Sequence, residues 1–301
     1  MIEGAYRKKA GRALLVATAI SALVLGVGVL AILAGSQAIG HLATAIAHVC
    51  LRIWAAVPDI LRMMLGISVA IGLVSGGMWL LFVGRQWWIT AAAIRSLRRK
   101  ASDPPPGVLT LLARHALTQQ VIVFRDVHAR ALTVGAITPR IMVSTGLIEA
   151  LEDDELEAVL LHEQSHLRNR DPLYLLLAGA LTTAFSYLPV VRVLAQQYQA
   201  AIELAADEDV IARQGGSLSL ASAMAKLLRA RPPMADATPF TGAADLRLSY
   251  LLEREVNLPG VSRRSVLQST AAVVALMMPV ASVYGLAGAL NHAVFISRCV
   301  V

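Results

Sequence analysis

Two histidines four residues apart, His162 and His166, stand in the run Leu160-Leu161-His162-Glu163-Gln164-Ser165-His166-Leu167-Arg168-Asn169-Arg170-Asp171-Pro172. On an α-helix this spacing puts both imidazoles on one face, one above the other. There they can share one metal ion. Glu163, beside the first histidine, is placed to take a proton from a water at the metal rather than to bind the metal itself. The flanks encode a helix. Glu152-Asp153-Asp154-Glu155 supplies acids for an N-terminal turn, where the helix dipole favours them. Leu156, Val159 and Leu160 mark an apolar face, and Pro172 follows the basic end.

Two imidazoles leave such an ion short of a ligand. Glu203-Leu204-Ala205-Ala206-Asp207 begins 37 residues after the second histidine (203 − 166). Glu203 and Asp207 are again four apart, so both carboxylates share one helical face. Glu203 can complete a two-histidine, one-glutamate site. Asp207 can accept a hydrogen bond from the outer nitrogen of a ligand histidine and so fix its tautomer. The two halves together are far more specific than either alone.

The stretch His162 to Leu173 resembles the motif helix of the peptidase M56 family, which includes the antibiotic-sensing receptors of the BlaR1/MecR1 type. Pro139-Arg140-Ile141-Met142-Val143 and Gly146-Leu147-Ile148 are similar to that family's strand and turn. The resemblance covers roughly residues 100–260. It implies an integral membrane gluzincin in which His162, His166 and Glu203 bind Zn2+ and Glu163 is the general base. It implies a protein substrate, one candidate being a winged-helix transcriptional repressor whose cleavage would derepress genes. The Glu-x-x-Ala-Asp form is also similar to the M48 family, so a membrane quality-control protease stands as an alternative. A non-enzymatic signalling scaffold with structural zinc is the second. The receptors carry an extracytoplasmic sensor domain after their last span, and this sequence ends at Val301. A β-lactam receptor role is therefore not expected; a separate sensor partner or a homo-oligomer is.

The elements around the site follow from hydropathy. A mean hydropathy of +0.63 with 16% charged residues suits a membrane protein carrying a modest polar domain. The net charge of +7 gathers beside apolar runs (Arg7, Lys8, Lys9, Arg12; Arg95, Arg98, Arg99, Lys100; Arg263, Arg264). That is the pattern of orientation signals and lipid headgroup contacts, and direct nucleic-acid binding is not expected. Spans are expected at about 13–34 and 63–84, the second ending at Arg85 with Trp87 and Trp88 as an interfacial belt. Basic flanks place the N-terminus and the active site in the cytoplasm, in a bacterial inner membrane if the family holds.

The expected fold is mainly α: about three transmembrane helices, a membrane-dipping hairpin, and a small α+β gluzincin-type domain. Its divisions are 1–94 for the N-terminal membrane region, 95–264 for the protease domain and 265–301 for a last span with an extracytoplasmic tail. Val121–Phe124, Ala131–Val134 and Ile141–Val143 read as short strands ahead of the motif helix. Residues 217–229 and 245–256 read as helices. Residues 172–191 carry no charge and mimic a span. Crossing there would separate Glu203 from the histidines, so 173–201 is expected to form a hairpin bent at Pro189, each arm about 20 Å long.

Other groups carry weaker expectations. His128 and Arg130 are candidates to stabilise an oxyanion, though surface loop positions suit them better. Arg168 and Arg170 are expected to face headgroups or pair with Asp171. Cys50 and Cys299 fall in outside segments, where a disulfide and two unpaired thiols are both open. The edge of Ala131–Val134 could add a substrate strand, as the resembling family's strand does.

Overall fold

The β-branched runs form a three-stranded sheet ahead of the motif helix. In the computed structural model, which describes residues 5–40, 59–229, 247, 250–251, 260–278 and 282, the strands are β1 (Val121–Phe124), β2 (Ala131–Val134) and β3 (Arg140–Ser144). The order is β1-β3-β2, with β3 parallel to β1 and antiparallel to β2. Thr133 pairs with Ile141 in this register. β3 lies in the middle and is almost wholly buried, whereas β2 is an edge strand and half-buried throughout. Gly135 opens the β2–β3 connection at φ +101°, where a side chain's Cβ would lie 2.8 Å from the Thr138 carbonyl oxygen.

The helices are α1 (Ala5–Gly40), α2 (Asp59–Arg99), α3 (Pro106–Arg114), α4 (Thr145–Ala150), α5 (Asp153–Asn169), α6 (Asp171–Ala184), α7 (Pro189–Gln214) and α8 (Leu218–Arg229). Residues 263–278 are also helical, and form α9. Contacts divide the chain into two units. One holds Met1–Leu15, Phe82–Gly179 and Val193–Gly260; the other holds Val16–Leu81, Ala180–Arg192 and Val261–Val301.

The first unit is built around α5. Its capping box is closed, with the Glu155 carboxylate accepting from the Glu152 N–H at 2.9 Å. The same Glu155 reaches α8, taking bonds from Lys226 at 2.7 Å and Ser222 at 2.6 Å. Leu156, Val159 and Leu160 pack into one apolar cluster with Val121, Ile141, Val143 and Leu112. Ala158 and Leu161, on the next face, join a second cluster with Leu204, Val210 and Leu220. Burying both faces leaves the helix no rotational freedom, so the direction of its histidines is fixed by core packing. Arg170 ends the helix in the left-handed conformation, at φ 55°.

By length and composition two helices, Tyr6–Gly26 and Gly66–Arg99, can cross a membrane. Leu81 is 74% and Trp88 68% exposed, a surface suited to lipid. α2 continues well past the expected end of its span at Gly84. Only part of the expected third span falls within the described residues, where 263–278 are helical. In the second unit Ser68 donates to the Leu276 carbonyl at 3.3 Å, and the Ser269 hydroxyl accepts from the Val190 N–H at 3.1 Å. Cys50, Cys299 and most of 245–256 lie outside the described residues.

Candidate metal centre

The uncharged run after His166 forms two helices. α6 ends at Ala184, the chain turns over 185–188, and Pro189 opens α7, where its missing N–H costs nothing. α7 then brings Glu203 to the histidines. Nitrogens of His162 and His166 and a carboxylate oxygen of Glu203 all lie within 4.8 Å of one another.

The spacing is that of ligands to one ion. His162 Nε2 and His166 Nε2 are 3.1 Å apart. Glu203 Oε2 is 3.5 Å from the first and Oε1 is 3.6 Å from the second. Tetrahedral ligands at about 2.0–2.1 Å from zinc stand about 3.3–3.4 Å from each other. The outer ring nitrogens are taken: His162 Nδ1 is 2.9 Å from Asp207 Oδ1, and His166 Nδ1 is 2.8 Å from Asp171 Oδ2. Each carboxylate holds its proton partner on Nδ1, so both Nε2 lone pairs are aimed at the same point. Nε2 lone pairs that close repel unless a shared proton or a metal ion lies between them. The residues present fit a metal ion.

Charge around the centre is balanced from distant segments. Asp207 is fully buried and receives two parallel bonds from Arg247, Nε to Oδ2 at 2.8 Å and Nη2 to Oδ1 at 2.7 Å. Arg247 Nη1 also lies 3.2 Å from Glu203 Oε2. Burial alone would raise both carboxyl pKa values. For Asp207, Arg247 and His162 overcome it and hold the group ionised; for Glu203, His162 and then Arg247 do so. Asp171, 2% exposed, is paired with Arg7 of α1 at 3.0 Å. It takes these partners rather than Arg168 or Arg170.

Glu163 points toward β2. The Thr133 hydroxyl is 2.6 Å from its Oε2 and 3.1 Å from its main-chain carbonyl. His128 and Arg130 sit in the loop before β2, about half exposed, at 2.9 Å and 3.7 Å from the Asp126 carboxylate. The sequence pointed to His162, Glu163, His166, Glu203 and Asp207, and the fold brings all five to one region. It gave no sign of Arg7, Arg247 or the Thr133 hydroxyl, nor of the contact between Asp171 and His166. Of these, only Asp171, five residues after His166, had a position that could have suggested it.

The family model of BlaR1 peptidase M56 matches residues 52–247, well over half of the sequence. This chain belongs to the peptidase M56 family. Curated relatives are similar over shorter stretches. A protease HtpX homolog 2 of Methanosarcina mazei is 36% identical over 107 residues, 34% of this chain and 35% of that protein. A protease HtpX homolog of Desulfotalea psychrophila is 33% identical over 111 residues, 34% and 39% respectively. The protease HtpX of Pasteurella multocida is 35% identical over 91 residues, 30% and 28%. The chain thus spans well under half the length of these relatives. M56 membership and the relatives' names support a protease, and the two long apolar helices support a membrane-bound one.

Proposed function

We propose that this M56 chain is a membrane-embedded zinc metalloendopeptidase that hydrolyses a protein substrate at the cytoplasmic face. The observation that carries the proposal is the convergence of His162 Nε2, His166 Nε2 and Glu203 on one point, with Glu163 beside them. Bound to those three side chains, zinc supplies Lewis acidity toward water and toward a peptide carbonyl. Glu163 takes the proton of the attacking water and returns it to the leaving amine nitrogen. Thr133 holds the Glu163 carboxylate by one short bond, which limits its rotation. β2, paired on one side only among the described strands, offers main-chain groups for an extended substrate segment. Proline at Thr133 would disable that strand, and unchanged turnover would exclude its use.

The substrate class is open between a winged-helix repressor, which would make the enzyme a signalling device, and membrane proteins cleaved in quality control. Similarity to proteins named protease HtpX supports the peptidase assignment without choosing between them. A scaffold with structural zinc has no use for the oriented Glu163 carboxylate. Labelling new protein N-termini in membranes holding the wild type or Glu163→Ala tests the proposal. Cleavage products confined to the wild type are expected, and their parent proteins identify the substrate class. Identical sets of N-termini would count against peptidase activity.

A further inference from the structure

The two ligand histidines are held by matching relays. His162 rests on Asp207, and Asp207 on Arg247. His166 rests on Asp171, and Asp171 on Arg7. The second relay ends on α1, 164 residues away in sequence and outside the stretch matched by the family model.

Arg7 is built into the first unit at several points. Its Nη1 donates to Asp171 Oδ1 at 3.0 Å, and its Nη2 donates to the Ser165 hydroxyl at 3.2 Å. One guanidinium thus holds both the carboxylate behind His166 and the residue preceding His166 on α5. Its neighbour Tyr6 packs edge-to-face on Tyr250, centroids 5.7 Å apart, and joins the apolar cluster beneath α5. The Tyr250 hydroxyl in turn donates to Glu208 of α7 at 3.1 Å. The start of α1 therefore contacts the helix that carries the histidines directly and reaches the helix that carries Glu203 through Tyr250.

We infer that Arg7 is a positioning residue for the metal centre, orienting His166 through Asp171, and that α1 is thereby a mechanical input to the site. The inference rests on the metallopeptidase function proposed above. Its physical basis is local. Asp171 is held by Arg7 Nη1 on one oxygen and by His166 Nδ1 on the other, which restricts its rotation, so the imidazole it supports keeps Nε2 on the metal point. Displacing the α1 start by a few ångströms breaks both Arg7 bonds and frees Asp171. α1 is one continuous helix from Ala5 to Gly40, and it contains one of the two segments able to cross a membrane. A movement of that helix along its axis would thus be felt at His166.

The test is cobalt binding to the full, detergent-solubilised chain, read from the visible absorption of Co2+ at the site. Arg7→Ala is expected to weaken Co2+ binding about tenfold and to change the spectrum. Arg7→Lys should recover part of the loss by restoring the charge without the fork. Asp171→Asn should weaken binding at least as much, and adding Arg7→Ala to it should cost nothing further. Lys8→Ala, one residue along and exposed, should bind as the wild type does. If Arg7→Ala does not fold, Arg7→Gln carries the same comparison. Unchanged affinity in the Arg7 variants overturns the inference, as does a full Arg7 effect persisting in the Asp171→Asn background. A wild type that binds no cobalt overturns the metallopeptidase function itself.

Discussion

The Thr133 hydroxyl of the edge strand lies 2.6 Å from Glu163 Oε2, tying the proposed base to the sheet rather than to its own helix. Thr133→Ala removes this bond and leaves the ligands untouched. A fall of about tenfold in kcat with KM and metal content unchanged is expected, and Thr133→Ser should restore it. A normal kcat in Thr133→Ala would show that Glu163 needs no such support.

Arg247 compensates a carboxylate with no exposed surface. Arg247→Ala leaves the buried Asp207 carboxylate with His162 as its remaining partner, and a loss of about 3 kcal/mol in stability is expected. Arg247→Lys should recover little of it, since an ammonium cannot make two parallel bonds. Thermal melts of the metal-free protein decide this. Arg247→Ala melting with the wild type would place the arginine outside the fold's charge balance.

Metal affinity should rise with pH. In the metal-free protein, burial and Arg247 push the His162 pKa down, but bonds to Asp207 and Glu203 outweigh them and raise it to about 9. A group raised from 6.5 stabilises the metal-free fold fully below pH 6.5, and that contribution is lost as pH climbs through about 9. Binding a metal must expel this proton. Affinity is therefore expected to increase about tenfold per pH unit between 6.5 and 9. Competition titrations with a chelator measure it, and a flat profile would mean that His162 is already neutral.

The turn between α6 and α7 has a topological consequence. If those helices return to the side they left, a reporter joined near Gln197 should report cytoplasm. A periplasmic signal there would be incompatible with the proposed cytoplasmic placement of the active site.

What the sequence revealed and what it hid divide along one physical line. His162, His166, Glu203 and Asp207 were legible because two helices present them four residues apart, and helical spacing leaves a periodic trace. The strands were legible for a different reason, as short β-branched runs set off by turn residues, with β1 and β2 falling at the expected residues and β3 one residue longer at each end. Arg7 and Arg247 left no trace. Their meaning comes from contacts 164 and 40 residues away in sequence, which no local pattern records. Helix length was also hidden. Hydropathy marks where lipid ends, whereas α2 runs on to Arg99 because its arginines and alanines still favour helix. The bend at Pro189 was legible because proline cannot sit in the interior of an unbroken helix.

The most direct test is hydrolysis of a protein substrate by purified wild type, stripped of metal and then reloaded with zinc, beside Glu163→Ala treated identically. Cleavage that disappears on stripping, returns with zinc, and is absent from a Glu163→Ala protein holding the same zinc is the expected result. Equal cleavage by both proteins, or a wild type that takes up no zinc at His162, His166 and Glu203, would contradict it.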